Sequence, residues 1–332
     1  MAAARWVDFA GQSILHTLVA ALVIEALVRL WRVRQPEQRT GFRLLALAWP
    51  LLVVPALFFG FPERSDEAFQ DARALFAARR WDELTLLGAG LDAWWLAGMV
   101  LLGVALFLMD LVPLLRSRAP LPPPFPLEAA AGAPARAREA LAEAALALSL
   151  RAPPLAFVPE GPPLFYCTGA RRPTVVVSRQ AVDLLDPAEL RCAFAHELSH
   201  LERRDPVLGW ALMGARALLW FNPVVQILVR ALARDSERLA DERAALATGD
   251  RLALASGLLK LYRASEGRYA LPARRNLPLS AALAAPIARA RAHDIGLRCR
   301  ALLDPAPARV RLSAFRFVAL AAGLFLLLFF VV

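Results

Sequence analysis

Ala195-His196-Glu197-Leu198-Ser199-His200-Leu201-Glu202-Arg203-Arg204-Asp205 is the stretch on which the reading of this chain turns. Upstream of it, Asp186 is placed to cap a helix, Pro187 suits the first helical position, and Glu189 would close a capping box. On such a helix His196 and His200 stand one turn apart on a common face, so both imidazoles can reach one metal ion. Glu197 lies beside that face, where a carboxylate can take a proton from a metal-activated water. Alone, H-E-x-x-H fits equally well a polar helix face with two ordinary histidines. A third ligand decides between the two.

Such a ligand follows in Arg234-Asp235-Ser236-Glu237-Arg238-Leu239-Ala240-Asp241-Glu242-Arg243-Ala244. Glu237 and Asp241 are spaced to share one helical face, while Asp235 and Glu242 point elsewhere. Glu237 would complete a His2Glu set and leave a fourth position open for water. Asp241 would accept a hydrogen bond from the outer nitrogen of a ligand histidine, fixing its tautomer. A charged, solvated face is the competing reading, and Arg234, Arg238 and Arg243 give it weight. Two matched elements in the right order outweigh it.

His-Glu-Leu-Ser-His with Arg203-Arg204-Asp205, then Trp220-Phe221-Asn222-Pro223, then Glu237-x-x-x-Asp241, resembles the BlaR/MecR family of membrane zinc peptidases. The resemblance spans about residues 141–303 and the helix layout around them. It implies a zincin-like peptidase domain held in a cytoplasmic loop between membrane helices. It implies one zinc ion on His196, His200 and Glu237, with Glu237 taken as ligand ahead of Asp241. Glu197 would be the general base, and the substrate a protein or peptide, a transcriptional repressor in a signalling circuit. It also implies a strand beside the metal helix that pairs with extended substrate. Thr174-Val175-Val176-Val177-Ser178 is the candidate, and an ordinary core strand is its competing reading.

The HtpX/CAAX-prenyl protease family shares the H-E-x-x-H and Glu-x-x-x-Asp pieces, so a quality-control or processing peptidase is the alternative. A membrane signalling scaffold without turnover is a third reading, disfavoured by an intact Glu197. BlaR-type sensors continue past their last span into an external ligand-binding domain. The apolar run of this chain reaches Val332, so penicillin sensing is not carried over.

Composition agrees with a membrane protein. Of 332 residues 58% are hydrophobic, and the mean hydropathy is +0.47, too apolar for an ordinary soluble domain. The net charge is +10, and residues 116–312 carry all of that excess, with 28 Lys+Arg against 18 Asp+Glu. Positive charge retains loops on the cytoplasmic side and suits anionic headgroups. No nucleic-acid motif or basic-aromatic stripe accompanies it, so direct nucleic-acid binding is not expected. Cys167, Cys192 and Cys299 form no C-x-x-C pair and read as reduced thiols.

The apolar runs give the expected organisation: membrane helices over about 13–31, 44–61 and 93–115, a peptidase domain over 116–312, and a fourth membrane helix over 313–332. No small-residue cleavage site follows the first run. The arginines at 32, 34, 39 and 43 place the first loop inside, and the acid-rich segment 62–92 lies outside. The N-terminus is then outside and the peptidase domain faces the cytosol of a bacterial inner membrane. Leu121–Pro126 is a stiff linker, an Ala-rich helix spans about 135–150, and extended pieces fall at 155–158, 164–168 and 174–178. Residues 207–233 are nearly all apolar. Arg216 and the Asn222-Pro223 break argue for a helical hairpin over the active site rather than a full crossing. His293, Tyr262 and Tyr269 are candidate donors for an oxyanion. The fold class expected is a multi-span α-helical membrane protein with an α+β, mostly helical zincin-like metallopeptidase domain.

Overall fold

The computed structural model describes residues 2–33, 35–74, 84–116, 133–160, 163–168, 173–269, 292–304 and 314–331. The linker at 121–126, part of the acid-rich segment, and the Pro-rich breaks near Pro272 and Pro305 lie outside these residues. The chain opens with α1 (Ala2–Leu30), α2 (Pro36–Ala48), a π-helical turn (Trp49–Val53), α3 (Val54–Gly60) and α4 (Glu67–Ala72). A small hairpin of β1 (Thr85–Leu86) and β2 (Ala89–Gly90) leads into α5 (Leu91–Arg116). Then come α6 (Ala135–Ala147), β3 (Leu155–Val158), β4 (Phe165–Thr168), β5 (Thr174–Ser178) and α7 (Arg179–Leu184). The remainder is helical: α8 (Pro187–Glu202), α9 (Asp205–Leu218), α10 (Pro223–Thr248), α11 (Arg251–Tyr269), α12 (292–303) and α13 (Ala314–Phe329). Two compact units result. One comprises Met1–Arg118, Trp210–Asp235 and Ala308–Val332, the other Ala119–Gly209 and Ser236–Pro307.

The first unit holds three helices long and apolar enough to cross a membrane, over Trp6–Leu30, Pro36–Gly60 and Leu91–Leu111. Pro50 and Pro55 do not break the second of these. The backbone widens into the π-helical turn and resumes as α3, the adjustment expected where proline removes a ladder donor. The expected fourth span appears as the shorter α13. Its 16 residues rise about 24 Å, against roughly 30 Å of hydrocarbon. Side chains take up its terminal carbonyls. Arg64 Nε donates to Phe329 O at 2.9 Å, and His16 Nε2 lies 2.7 Å from Val331 O.

Residues Trp210–Asp235 belong to this unit as well. The reason lies in what the hairpin touches. Asn222 at its apex is fully buried and donates to Ser13 O and Thr17 Oγ1 of α1, both at 3.2 Å. Its Oδ1 accepts the Val224 N–H at 3.1 Å and so caps α10. Arg216 and Arg230 share Asp110 of α5 and also donate to Leu106 O. Arg216 therefore does not hold the hairpin out of an apolar setting, because the fold supplies its counter-charge. Val224 and Leu228 join Ala20, Ile24, Trp49 and Leu328 in one core, while Trp210, Met213, Leu218 and Trp220 stay exposed.

In the second unit, β5 is the middle strand of a three-stranded sheet in the order β3-β5-β4. It runs parallel to β3, with Val175 opposite Leu155, and antiparallel to β4, with Val175 opposite Cys167. Both of its edges are paired, so Thr174, Val175, Val176, Val177 and Ser178 cannot receive a substrate strand. The competing reading of that run as a core strand is correct, and Val175 and Val177 are fully buried. The capping box at the start of α8 is present. Asp186 Oδ1 accepts the Glu189 N–H, and Glu189 Oε2 accepts the Asp186 N–H, both at 2.9 Å. Glu189 is further held by Ser256 and by Lys260 of α11. The apolar side of α8 (Leu190, Phe194, Leu198) packs with Leu141 of α6, Val177 of β5 and Leu254 of α11 in one core.

Gly103 of α5 marks the tightest approach to the hairpin apex. A Cβ there would sit 2.2 Å from the Phe221 carbonyl oxygen. Gly103→Ala is therefore expected to destabilise the first unit by about 1–3 kcal/mol. Gly98→Ala on the same helix meets open space and should be near neutral. Thermal unfolding in detergent compares the two, and equal melting would mean that the apex shifts at no cost.

Candidate metal centre

Helix α8 places His196 and His200 one turn apart, and α10 places Glu237 and Asp241 one turn apart, as their spacing predicts. The structure brings these residues together. His196 Nε2 and His200 Nε2 are 3.3 Å apart. Glu237 Oε2 lies 3.6 Å from the first and Glu237 Oε1 3.7 Å from the second. Among the described residues these three form the one group of His, Cys, Asp and Glu whose ligand atoms converge in this way.

Each histidine is tied from behind. His196 Nδ1 lies 3.0 Å from Asp241 Oδ1, although its N–H is not aimed squarely at that oxygen. His200 Nδ1 lies 2.7 Å from Asp205 Oδ2. With carboxylates on both Nδ1 atoms, the Nε2 lone pairs face each other and the Glu237 carboxylate. Such a cluster needs positive charge at its centre, which a proton on His196 or a metal cation supplies. Ligands at about 2.0–2.2 Å from a tetrahedral zinc ion are separated by about 3.3–3.5 Å, close to the 3.3 Å between the two Nε2 atoms, while the 3.6 and 3.7 Å separations reach different oxygens of Glu237. Glu237 keeps 40% side-chain exposure, which leaves the centre an open side.

Asp205 closes the sequence motif, and local spacing assigns it no partner. The structure shows why Arg203-Arg204-Asp205 follows the second histidine. Arg203 caps α8, Arg204 takes a left-handed turn (φ 56°), and Asp205 then opens α9 facing His200. Arg203 lies 3.2 Å from Asp205, and Ser236 Oγ donates to Asp205 Oδ2 at 2.8 Å. A second partner invisible to local spacing is Arg298 of α12. Its Nε and Nη2 donate to the two oxygens of Asp241, each at 2.7 Å, and its Nη1 lies 2.9 Å from Glu237 Oε2.

Glu197 turns toward the sheet. Its Oε2 accepts the backbone N–H of Cys167 in β4 at 2.9 Å, so the edge strand beside the metal helix is β4. Burial pushes the Glu197 carboxyl above its usual range, against the pull of His196 and His200. Burial alone would lower His196, yet the Asp241 and Glu237 carboxylates hold it up at about 10. Burial opposes ionisation of Glu237 and Asp241 too. Their contacts with His196 and Arg298 win and pull both to about 2. Cys192 is buried in the core as a small packing residue. His293 is exposed on α12 and Tyr262 half-buried on α11. The Tyr269 side chain lies outside the described residues.

Residues 155–276 match the family model described as BlaR1 peptidase M56. This region is similar to a peptidase. The matched stretch contains His196, Glu197, His200, Glu237 and Asp241, and stops short of Arg298. The chain is 33% identical over 165 residues to a protease HtpX homolog of Pyrococcus abyssi, covering 39% of this chain and 56% of that protein. It is 31% identical over 146 residues to a protease HtpX homolog of Methanosarcina mazei, covering 34% and 50%. For a protease HtpX homolog of Salinibacter ruber the identity is 30% over 147 residues, covering 36% and 53%. The chain thus spans about half the length of the curated relatives it matches. No solved structure matches it. Its likeness is to metallopeptidases of the M56 and HtpX type, with HtpX homologs as the named relatives.

The back-side contacts predict graded losses. Asp205→Ala should weaken metal binding by about 10–100-fold without abolishing it, the usual effect of removing a carboxylate behind a ligand histidine. Asp241→Ala should fall in the same range. Competition against a chromophoric chelator measures both, and wild-type affinity in Asp205→Ala would remove that residue from the site.

Proposed function

We propose that this protein is a membrane zinc endopeptidase that cuts a cytosolic or membrane-proximal protein. The observation that carries this reading is the convergence of His196, His200 and Glu237 on one point, with Glu197 held beside it. Zinc bound there would supply Lewis acidity to the scissile carbonyl and to the attacking water. Glu197 accepts the proton of that water and returns it to the leaving amine. The Cys167 N–H occupies Oε2 of Glu197, which leaves Oε1 for the proton. Extended substrate aligns along β4, the outer strand on the α8 side of the sheet.

Two cellular roles fit this chemistry. Cleavage of a transcriptional repressor in signal transduction is the role that the BlaR/MecR resemblance suggests. Membrane quality control or processing is supported by the HtpX homologs among the relatives. Comparing membrane and soluble proteomes of cells expressing wild type or Glu197→Gln separates them. Accumulation of one DNA-binding protein speaks for the first role, and accumulation of many damaged membrane proteins for the second.

For orientation, the arginine asymmetry supports an outside N-terminus and a metal centre on the cytosolic side of a bacterial inner membrane. Reporter fusions should read outside at Asp71 and inside at Glu160. An outside signal at Glu160 removes cytosolic substrates from consideration.

For the reaction, Glu197→Gln should retain stoichiometric zinc and lose at least about 100-fold in hydrolysis, the lower range for removing a general base. Glu237→Ala should lose stoichiometric zinc altogether. Proteolysis by a zinc-loaded Glu197→Gln protein would refute the role of Glu197. Retention of zinc by Glu237→Ala, with loss in Asp241→Ala, would pass the ligand role to Asp241.

A further inference from the structure

The site is finished by a residue beyond the stretch that matches the family model. Arg298 stands on α12, 57 residues after Asp241. It is nearly buried at 7% exposure, and Asp241 at 3%. Its guanidinium uses all three nitrogens on two carboxylates. Nε and Nη2 grip Asp241 in a bidentate fork at 2.7 Å, and Nη1 reaches Oε2 of Glu237 at 2.9 Å. A lysine, with one compact ammonium, could not make that planar three-point contact.

We propose that Arg298 is a positioning residue that restricts Glu237 to one ligating oxygen and locks Asp241 against His196. The inference rests on the metal reading given above and deepens it. Oε2 of Glu237 is drawn toward Nη1 of Arg298, so Oε1 is the oxygen left without that competing donor. A glutamate free of such a donor can bring in both oxygens and take the position that a catalytic centre keeps for water. On the other side, Oδ1 of Asp241 lies 2.7 Å from Arg298 Nη2 and 3.0 Å from His196 Nδ1. One guanidinium thereby fixes the ligand carboxylate and the carboxylate behind a ligand histidine. The working site then extends to α12, past residue 276 where the family match ends.

The test uses the full-length, detergent-solubilised protein, stripped of metal and reloaded with Co2+ or Zn2+. Tetrahedral Co2+ absorbs strongly in the visible, and a fifth ligand weakens the band, so the spectrum reads how Glu237 binds. Arg298→Met should weaken the band and lower Zn2+ affinity by about 10–100-fold, as removal of an outer partner does. Arg298→Lys keeps the charge without the fork and should also give the weakened band, which a role for charge alone would not predict. Should Arg298→Met fail to fold, Arg298→Lys decides by itself. A wild-type band and wild-type affinity in the folded variants would overturn the proposal while leaving the metal reading intact. Failure of the wild type to bind metal at His196 and His200 would overturn both.

Discussion

Everything in the second unit answers to one electrostatic constraint: three electron-pair donors must be held against each other near a single point. The two imidazole Nε2 atoms stand 3.3 Å apart, and the Glu237 oxygens 3.6 and 3.7 Å away. Left to themselves these groups would rotate apart. Each is therefore anchored at its far side: His196 by Asp241, His200 by Asp205, and Glu237 by Arg298. The anchors need support in turn, because a buried carboxylate without partners is costly. Arg203 and Ser236 give it to Asp205, and Arg298 gives it to Asp241. The α8 capping box and its ties to α11 keep the histidine ladder in register with these partners.

What could be read from the sequence was what depends on helical spacing. Asp186 and Glu189 cap α8 as expected, and the two i, i+4 pairs face one another. Asp205 and Arg298 escaped because their roles are tertiary. Asp205 reaches His200 only after the chain turns sharply at Arg204, and Arg298 returns from a separate helix 57 residues on. The strand order was equally hidden. Alternation and β-branching identify Thr174–Ser178 as a strand, but only pairing tells an edge from a centre, and that run lies at the centre. The edge beside the base is β4, whose Phe165-Tyr166-Cys167-Thr168 carries a weaker strand signal.

The apolar segment after α8 teaches a different lesson. Its hydropathy is plain, and Arg216 with the Asn222-Pro223 break argues from sequence for a helical hairpin rather than a full crossing, which α9 and α10 form. Each of those polar groups has a partner in the first unit: Asp110 for Arg216, and Ser13 and Thr17 for Asn222. Gly103 leaves room for the turn between the two helices. A charge in an apolar run excludes the run from such a setting only if no counter-group awaits it. Local sequence does not say whether one does.

The same counting bears on the ion itself. Glu197, Asp205, Glu237 and Asp241 bring four carboxylates to the described site, and Arg203 and Arg298 bring two guanidinium groups. With both imidazoles neutral, as metal ligands are, these six groups sum to two negative charges. A divalent cation at the proposed centre would balance them. In the proposed hydrolysis Glu197 takes a proton from water within this same set of groups, so negative charge moves from the carboxylate to the attacking oxygen beside the ion. The total does not change. No counter-ion has to be recruited and no anchor has to move while the bond breaks, which is the condition under which preorganised charge lowers a barrier.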